Sequence, residues 1–336
     1  MPPRTNSQNP KPKTSRRFIV GWLLFGLLAA LVILTEHQAV YDWLRLRGYK
    51  PPADIAAIAN DDELTPAAER VFYVNHPLVQ DKSDFAKSCP NGNKETAVLG
   101  CYVPDQRGIY VLNVTDSRLA GIEQVTGAHE LLHAEYDRLT AGDKQEVDSM
   151  LMDYYHHGLM DETIKKQLDS YKKTEPNDLV NEMHSIFGTE VGGLPAPLED
   201  YYKRYFADRS KITGYYNTYE AEFTTRQLQI QQDDAQLKAW KAQIASLEAD
   251  LKIKQAALQA QQSQLNAARS RGDLNAYNTG VPAYNSAVNA YNAEVRQLRD
   301  LINKYNALVA ARNAIVLEEQ QLTQDISSGV SPIGKQ

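Results

Sequence analysis

The pattern of apolar and polar positions divides the chain into regions of different character. Residues 18–35 run apolar and uncharged, residues 36–210 mix short strand and helix patterns, and residues 211–326 repeat apolar positions at long-helix spacing. Apolar residues three and four apart favour helices, whereas short β-branched and aromatic runs favour strands. The pattern therefore predicts a mainly α protein with a small β-sheet, a long C-terminal antiparallel helical hairpin and one N-terminal transmembrane helix.

The apolar run at residues 18–35 has the length and the flanks of a membrane anchor. As a helix it would span about 27 Å, near the lower end of what crosses a bilayer core. Residues 1–17 carry basic residues and no acidic ones, and no small-residue cleavage site follows the run. Because basic flanks stay on the cytoplasmic side, we expect a single-pass signal anchor rather than a cleaved signal peptide. The lipid bilayer is then a partner of residues 18–35, residues 1–17 form a cytoplasmic tail, and the remaining ectodomain is extracellular or periplasmic.

Two regions follow the anchor before the long helices begin. Residues 36–68 are predicted to be a juxtamembrane segment, with Pro51-Pro52 and an Ala-rich helix pattern. Residues 69–210 contain the clearest strand of the chain, from Ile109 to Val114, and several short helices bounded by Gly and Pro. The apolar fraction of 43% is normal for a chain with a real core. We therefore expect a globular domain at residues 69–210.

The last third of the chain repeats apolar residues every seven positions on two stretches, with a Gly/Pro/Asn-rich break at residues 269–285. Such spacing predicts two long helices that pack along a heptad seam. Residues 211–326 are thus expected to form a helical hairpin or coiled coil, and residues 327–336 a flexible tail. Arg271-Gly272-Asp273 at the tip matches an adhesion tripeptide, but a charged turn explains it. Whether the coiled coil has a partner outside this chain stays open.

Charge and cysteine content narrow the classes of function. The chain has 36 basic and 42 acidic residues, a formal charge of −6, and thus no electrostatic footprint for nucleic acid. Cys89 and Cys101 flank a Pro/Asn/Gly-rich stretch. An even pair in an exported chain favours a disulfide, and the spacing is not that of zinc ligands. We therefore expect a Cys89–Cys101 disulfide and no nucleic-acid partner.

The most specific chemical signal is the stretch GAHELLHAEYDRL, which begins at Gly127. His129 and His133 stand four residues apart, and Glu130 follows the first histidine. On a helix, residues i and i+4 share a face, so both imidazoles can reach one metal ion. Glu130 is turned by about 100°, to a position that suits a general base rather than a ligand. The stretch matches H-E-x-x-H and resembles the zincin metallopeptidases, while the alternative is an ordinary helix with two surface histidines.

The resemblance to zincins implies an α+β catalytic domain, an edge strand upstream of the metal helix and a zinc ion with a third protein ligand. The strand from Ile109 to Val114 lies where that edge strand is expected. The metzincin continuation is absent, because Tyr136 and Leu139 occupy its positions. The gluzincins instead take a glutamate from a later helix, and Glu182 in NDLVNEMHSIFG fits that arrangement. The resemblance to gluzincins therefore implies Zn²⁺ bound by His129, His133 and Glu182.

Other side chains remain alternatives around this site. Asp137 follows His133 by one turn, but a straight helix cannot bring three successive turns to one ion. We therefore expect Asp137 to be an outer partner of the site or to pair with Arg138 or a later helix. His184 faces away from Glu182 on their helix, so we expect it to stabilise an oxyanion, and it is the next choice as third ligand. The remaining candidate ligands are His156, His157 and Glu190, and the remaining candidate donors are Tyr201 and Tyr202.

Together these features predict a membrane-anchored zinc metallopeptidase that acts on a peptide or protein substrate outside the cytoplasm. Glu130 would take a proton from a zinc-activated water and pass it to the leaving amine. The competing prediction is a non-enzymatic surface protein whose hairpin is a spacer or partner-binding arm, with a vestigial or structural metal site. A third keeps the enzyme and makes the hairpin a lid or a substrate-delivery arm.

Overall fold

The structure is a computed structural model, and it describes residues 25–26, 37–89, 98–104, 108–174 and 176–327. The predicted cytoplasmic tail and membrane anchor lie outside these residues, apart from Phe25 and Gly26. The predicted C-terminal tail also lies outside them, apart from Ser327. Among the residues that are described, no helix has both the length and the apolar character needed to cross a membrane.

Helices dominate the described part of the chain, and short strands form one small sheet. The helices are α1 (His37–Leu46), α2 (Ala53–Asp61), α3 (Pro66–Val74), α4 (Lys82–Ser88), α5 (Ile122–Arg138), α6 (Ala141–His157), α7 (Glu162–Thr174), α8 (Leu179–Thr189), α9 (Ala196–Tyr202), α10 (Ser210–Ser270) and α11 (Leu274–Ile326). The strands are β1 (Leu78–Gln80), β2 (Gly100–Val103) and β3 (Gly108–Leu112), and a 3₁₀ turn covers Ser117–Leu119. A mainly helical chain with a small sheet and a long C-terminal helical region is thus confirmed.

The sheet has the strand order β1-β3-β2. β1 runs parallel to β3, and β2 runs antiparallel to it. The expectation that the strand from Ile109 to Val114 is an edge strand is therefore wrong, because β3 lies in the middle. Nearly every residue of β3 is buried, which suits a central strand, whereas β2 is half-buried along its length and forms an edge.

Two helix starts follow the capping rules that the sequence predicts. The Thr65 hydroxyl accepts a hydrogen bond from the backbone N–H of Ala68 at 3.3 Å, and Pro66 is the first residue of α3. The Thr140 hydroxyl accepts one from the N–H of Asp143 at 3.2 Å at the start of α6. These caps satisfy backbone donors that the first helical turn leaves free.

α5 lies at the centre of the hydrophobic core. It packs against α2, α3, α8, α10 and the sheet, and its Leu131 is fully buried. The same core takes side chains from Ile55 and Ile58 of α2, which belong to the predicted juxtamembrane segment. It also takes Ile212 near the start of α10 and Leu322 near the end of α11. The packed unit around α5 therefore draws on residues from both sides of the predicted domain at residues 69–210.

α10 and α11 form the predicted antiparallel hairpin. Ion pairs join Asp234 to Arg312 and Lys254 to Glu294. Residues later in α10 therefore contact residues earlier in α11, as antiparallel helices require. At about 1.5 Å per residue, the two helices extend about 90 Å and about 80 Å. The apolar residues of the heptad rows are buried or half-buried along the seam between them. The predicted heptad register therefore corresponds to real contacts.

The turn at the hairpin tip is much shorter than the predicted break at residues 269–285. α10 continues to Ser270 and α11 begins at Leu274, so the charged stretch between them is a turn, as predicted. Gly280 and Pro282 both lie within α11. A Cβ at Gly280 would stand 2.7 Å from Leu265 Cδ2, so this glycine allows a close approach of the two helices instead of ending one.

Candidate metal centre

Two helices bring the three predicted ligands together. α5 presents His129 and His133 on one face, and α8 presents Glu182 in its first turn. His129 Nε2 lies 3.6 Å from Glu182 Oε2, and His133 Nε2 lies 3.6 Å from Glu182 Oε1. One ligand atom from each of the three residues falls within 4.8 Å of the others. The two histidines are half-buried, and Glu182 is only 3% exposed.

The spacing and chemistry of this group fit a metal ion. With metal–ligand bonds of 2.0–2.1 Å, tetrahedral geometry puts ligand atoms about 3.3 Å apart, close to the separations seen here. Those separations are too long for hydrogen bonds, and Glu182 Oε2 is buried without a hydrogen-bond partner in the described part of the chain. Imidazole and carboxylate together are donors that Zn²⁺ accepts. His129, His133 and Glu182 can therefore hold a metal ion.

The other ring nitrogen of each histidine also faces a polar group. His133 Nδ1 lies 3.0 Å from Asn181 Oδ1, and His129 Nδ1 lies 3.8 Å from Glu190 Oε1. Gln167 donates a hydrogen bond to Glu190 from the neighbouring α7, at 3.4 Å. Such outer partners fix the tautomer and the ring orientation of a metal-binding histidine. Glu190, a competing ligand in the sequence, thus stands behind His129 and not beside Glu182.

The electrostatic environment of the group favours a cation. Burial acts to lower the pKa of His129, but the carboxylates of Glu182, Glu130 and Glu190 raise it to about 9. Burial acts to raise the pKa of Glu182, yet His133 and His129 hold it below its ordinary value. In the absence of metal, a proton on His129 therefore offsets the buried carboxylates. A divalent cation would offset more of that charge, and its binding would release the proton.

Glu130 is held next to the metal group by β2. Its side chain is 6% exposed, and burial raises its pKa against the lowering effect of His133 and His129. The backbone N–H of Tyr102 donates a hydrogen bond to it. A Cβ at Gly100 would meet Glu130 Oε1 at 2.7 Å, so only glycine at this place lets the carboxylate lie against the strand. A carboxyl group with a raised pKa beside a metal site has the chemistry of a general base.

One edge of β2 faces the cavity beside this carboxylate. The N–H of Leu112 donates to the carbonyl of Leu99 at 2.7 Å, and in an antiparallel ladder every second residue pairs this way. The backbone groups of Gly100 and Tyr102 therefore point away from β3. They lie on a cavity of about 920 Å³ that is also lined by His129, Glu130, His133 and Glu182. An extended peptide can add to such an edge as a further strand.

His184 lies in the aromatic core and not on the cavity wall. It is 0% exposed, and its Nε2 lies 2.9 Å from the Tyr201 hydroxyl, which in turn lies 2.8 Å from the Tyr205 hydroxyl. The Tyr202 hydroxyl donates to the backbone carbonyl of His184 at 2.7 Å. Burial, with the charges of His133 and His129, lowers the pKa of His184 to about 3. The three predicted donors His184, Tyr201 and Tyr202 thus form one packed cluster.

The remaining candidate ligands lie apart from the metal group. His156 and His157 end α6, where His157 Nδ1 lies 2.9 Å from the exposed Asp153. Asp137 is exposed and lines the cavity. It does not pair with Arg138, whose guanidinium instead binds the buried Asp42 of α1 at 2.8 Å. Among the described contacts, Asp137 forms no ion pair and no hydrogen bond with a metal ligand.

The predicted disulfide lies at the rim of the same cavity. The Sγ atoms of Cys89 and Cys101 are 1.94 Å apart, at disulfide distance. Cys89 follows α4, and Cys101 lies in β2 between the two residues whose backbones face the cavity. The bridge therefore ties the strand beside Glu130 to α4.

Sequence reasoning missed the residues that complete the cavity. Gly100 and Tyr102 belong to a four-residue strand too short to give a periodic signal. Tyr219, Glu220 and Phe223 lie on α10, where their spacing indicates only a helix seam.

Comparisons of the chain with protein-family models, with curated proteins and with solved structures found no match.

Proposed function

We propose that this chain is a membrane-anchored zinc metallopeptidase that hydrolyses peptide bonds outside the cytoplasm. The observation that carries the proposal is the convergence of His129, His133 and Glu182 beside the buried Glu130, next to the edge strand β2. The resemblance of the H-E-x-x-H helix and of Glu182 to the gluzincins supports the same reaction. The membrane anchor rests on the sequence of residues 18–35.

Each part of the site has a defined task in this proposal. His129, His133 and Glu182 would hold the zinc ion, which would supply Lewis-acid chemistry to the scissile carbonyl and to water. Glu130 accepts the proton of the attacking water on its carboxylate and delivers it to the leaving amine. The backbone of Gly100 in β2 aligns the substrate as an added strand.

Replacement of the general base separates metal binding from hydrolysis. Glu130→Gln removes the proton acceptor but none of the three ligands, so zinc content should stay at one equivalent. Hydrolysis of an unstructured peptide by the full chain should fall by about 10²- to 10⁴-fold. Glu135→Gln is a matched control, because it makes the same change on α5 away from the cavity. Full activity of the Glu130→Gln protein would exclude the mechanism.

The third ligand is tested by metal analysis. Glu182→Ala removes one of three protein ligands, so zinc should be lost on dialysis from the variant and retained by the wild type. Equal retention of one zinc ion by both proteins would show that Glu182 is not a ligand. Circular dichroism of the variant would show whether α8 still folds.

A further inference from the structure

The base of the helical hairpin forms part of the wall of the metal-centre cavity. Tyr216, Tyr219, Glu220 and Phe223 of α10 and Ile326 of α11 line it together with β2 and α5. The base is fixed there, because α10 packs against α5 and the side chains of Tyr216 and Tyr219 are buried. A ligand in the cavity therefore contacts the hairpin as well as the metal helix.

The cavity carries a strong excess of negative charge. Among the described residues that line it there is no Lys or Arg. The carboxylates that line it are Glu130, Asp137, Asp178, Glu182, Glu190 and Glu220. A zinc ion brings two positive charges, which cannot offset six carboxylates. Even without Glu190, which lies behind His129, five carboxylates remain against those two charges.

Three of these carboxylates have no task at the metal centre. Asp137 and Asp178 lie beyond the His133 end of the ligand group, one helical turn after His133 and one turn before Glu182. Glu220 lies on the hairpin side, near Glu190. Within the described ranges, no Lys or Arg forms an ion pair with any of the three, and Glu220 is half-buried. Uncompensated charge thus lies on both sides of the metal ligands.

Electrostatics then indicate what kind of ligand fits. A cleft lined by charges of one sign focuses its potential and concentrates oppositely charged ligands. A half-buried carboxylate gains most from a cation that reaches it, because water screens such a pair poorly. A peptide that lies along β2 across the metal ligands extends towards both acidic groups. Lysine and arginine side chains are the cations that a peptide brings.

We propose that the hairpin base is a specificity-determining wall of the cavity, which selects peptide segments that contain Lys or Arg. The cationic side chains of such a peptide pair with Glu220 on the hairpin. They also pair with Asp137 and Asp178 on the opposite side of the metal ligands. The placement of the peptide along β2 rests on the proposed peptidase function. The charge selectivity rests on the cavity itself.

Binding is measured first, because it does not depend on hydrolysis. The full chain is kept metal-free with a chelator and titrated with an unstructured peptide that contains two lysines. The second ligand is the same peptide with both lysines acetylated, which keeps the length and removes the charge. We expect the lysine peptide to bind about tenfold more tightly at low salt, with the difference shrinking at high salt.

Matched variants assign the selectivity to the hairpin. Glu220→Gln should reduce the preference for the lysine peptide severalfold and leave binding of the acetylated peptide unchanged. Glu248→Gln makes the same change at an exposed position far along α10, and it should keep the wild-type preference. Asp178→Asn provides a second variant on the other acidic side, in case the first perturbs the packing of α10.

The outcomes separate this inference from the proposed function. Equal binding of both peptides to the wild type overturns the charge selectivity, whether or not zinc-loaded protein cleaves them. A clear preference without any hydrolysis by the zinc-loaded chain contradicts the peptidase and leaves the selectivity standing. If Glu248→Gln weakens the preference as much as Glu220→Gln does, the preference results from the net charge of the chain. That result overturns the role of the hairpin.

Discussion

His184 illustrates how one buried side chain can serve packing within reach of a metal site. Its imidazole is neutral, because burial lowers its pKa to about 3, and its Nε2 faces the Tyr201 hydroxyl. That hydroxyl also bonds Tyr205, so a chain of three polar groups runs through an aromatic core. A buried chain of this kind is stable only while every member has its partner. The arrangement favours a structural role over the predicted oxyanion donor.

Removal of one hydroxyl from this chain should cost stability without affecting the metal. Tyr201→Phe leaves both His184 Nε2 and the Tyr205 hydroxyl without a partner, at a cost of about 1–3 kcal/mol in the free energy of unfolding. Tyr205→Phe removes only the end of the chain and should cost less. Urea denaturation and zinc titration measure the two effects. An unchanged stability with lost hydrolysis would assign the His184–Tyr201 pair to the reaction.

Asp62 is a second buried group with a consequence for stability. Its side chain is 0% exposed, and neither carboxylate oxygen has a hydrogen-bond partner among the described residues. Burial raises its pKa well above the ordinary value, and the charge of Asp61 adds to the effect. The folded state thus holds the proton more tightly than the unfolded state, in which an aspartate titrates near pH 4. Stability should fall as the pH rises above about 4, towards the raised pKa of the folded state.

Asp62→Asn should remove this pH dependence. At neutral pH the amide avoids the cost of either protonating or burying a carboxylate on folding, so the variant should be more stable than the wild type by about 1–3 kcal/mol. Well below pH 4 the wild-type carboxyl is protonated in both states, and the difference should shrink. Urea midpoints measured at several pH values give the comparison. A difference that is constant across pH would mean that Asp62 titrates normally in the folded protein.

Among the secondary-structure elements, β2 contributes the most to the candidate site for its length. Its four residues provide the edge that faces the cavity, the glycine behind Glu130 and one half of the disulfide. Strand pairing with β3 on one side and contact with α5 on the other fix its position. The carboxylate of Glu130 is therefore positioned by an element that lies some thirty residues earlier in the chain.

Gly100→Ala tests this positioning. The added Cβ would stand 2.5 Å from Thr126 Cγ2 and 2.7 Å from Glu130 Oε1, so the carboxylate must move by about 1 Å. Displacement on this scale can lower peptide hydrolysis by about 100-fold, while zinc binding persists because the ligands lie elsewhere. Gly192→Ala is the matched control, since a Cβ there meets nothing within 4 Å. Normal hydrolysis by the Gly100→Ala protein would show that β2 does not position Glu130.

The elements that the sequence predicts best are those whose signal is local and periodic. The i, i+4 spacing of His129 and His133 indicates both a helix and a metal site, and the heptads predict the hairpin. Glu182 could be proposed from its resemblance to the gluzincin arrangement. Glu220 and β2 could not, because their place at the cavity depends on contacts between segments about a hundred residues apart. The prediction of an edge strand from Ile109 to Val114 was wrong for the same reason, because the sequence of one strand does not indicate which strands lie beside it.

At the scale of the whole molecule, the hairpin has two parts with different relations to the metal centre. Its base, up to about Gln227 on α10 and from about Glu319 on α11, joins the core and the cavity wall. The remainder extends away as a two-helix arm whose contacts are the seam and ion pairs such as Asp234–Arg312. The base is thus expected to be required for folding, whereas the arm is expected to be dispensable for chemistry.

Shortening the arm in register tests this division. Deletion of residues 242–262 together with residues 284–304 removes three heptads from each helix and keeps the tip. The numbers of residues that face each other across the seam, such as Asp234 and Arg312, have a nearly constant sum, so the new junctions bring matching positions together. The heptad rows then continue without a shift in phase. The shortened chain should therefore fold as the wild type does.

Zinc binding and hydrolysis of a short peptide by the shortened chain should equal those of the wild type, because the deletion removes none of the residues that line the cavity. Deletion of residues 210–326 should instead unfold the protein, since Ile212, Tyr216, Tyr219 and Leu322 are buried in the core. Thermal unfolding and initial rates of hydrolysis compare the three proteins. If the shortened chain folds and binds zinc but cleaves no short peptide, the arm takes part in the reaction itself. If it cleaves short peptides but no longer cleaves a folded protein that the wild type cleaves, the arm brings large substrates to the site.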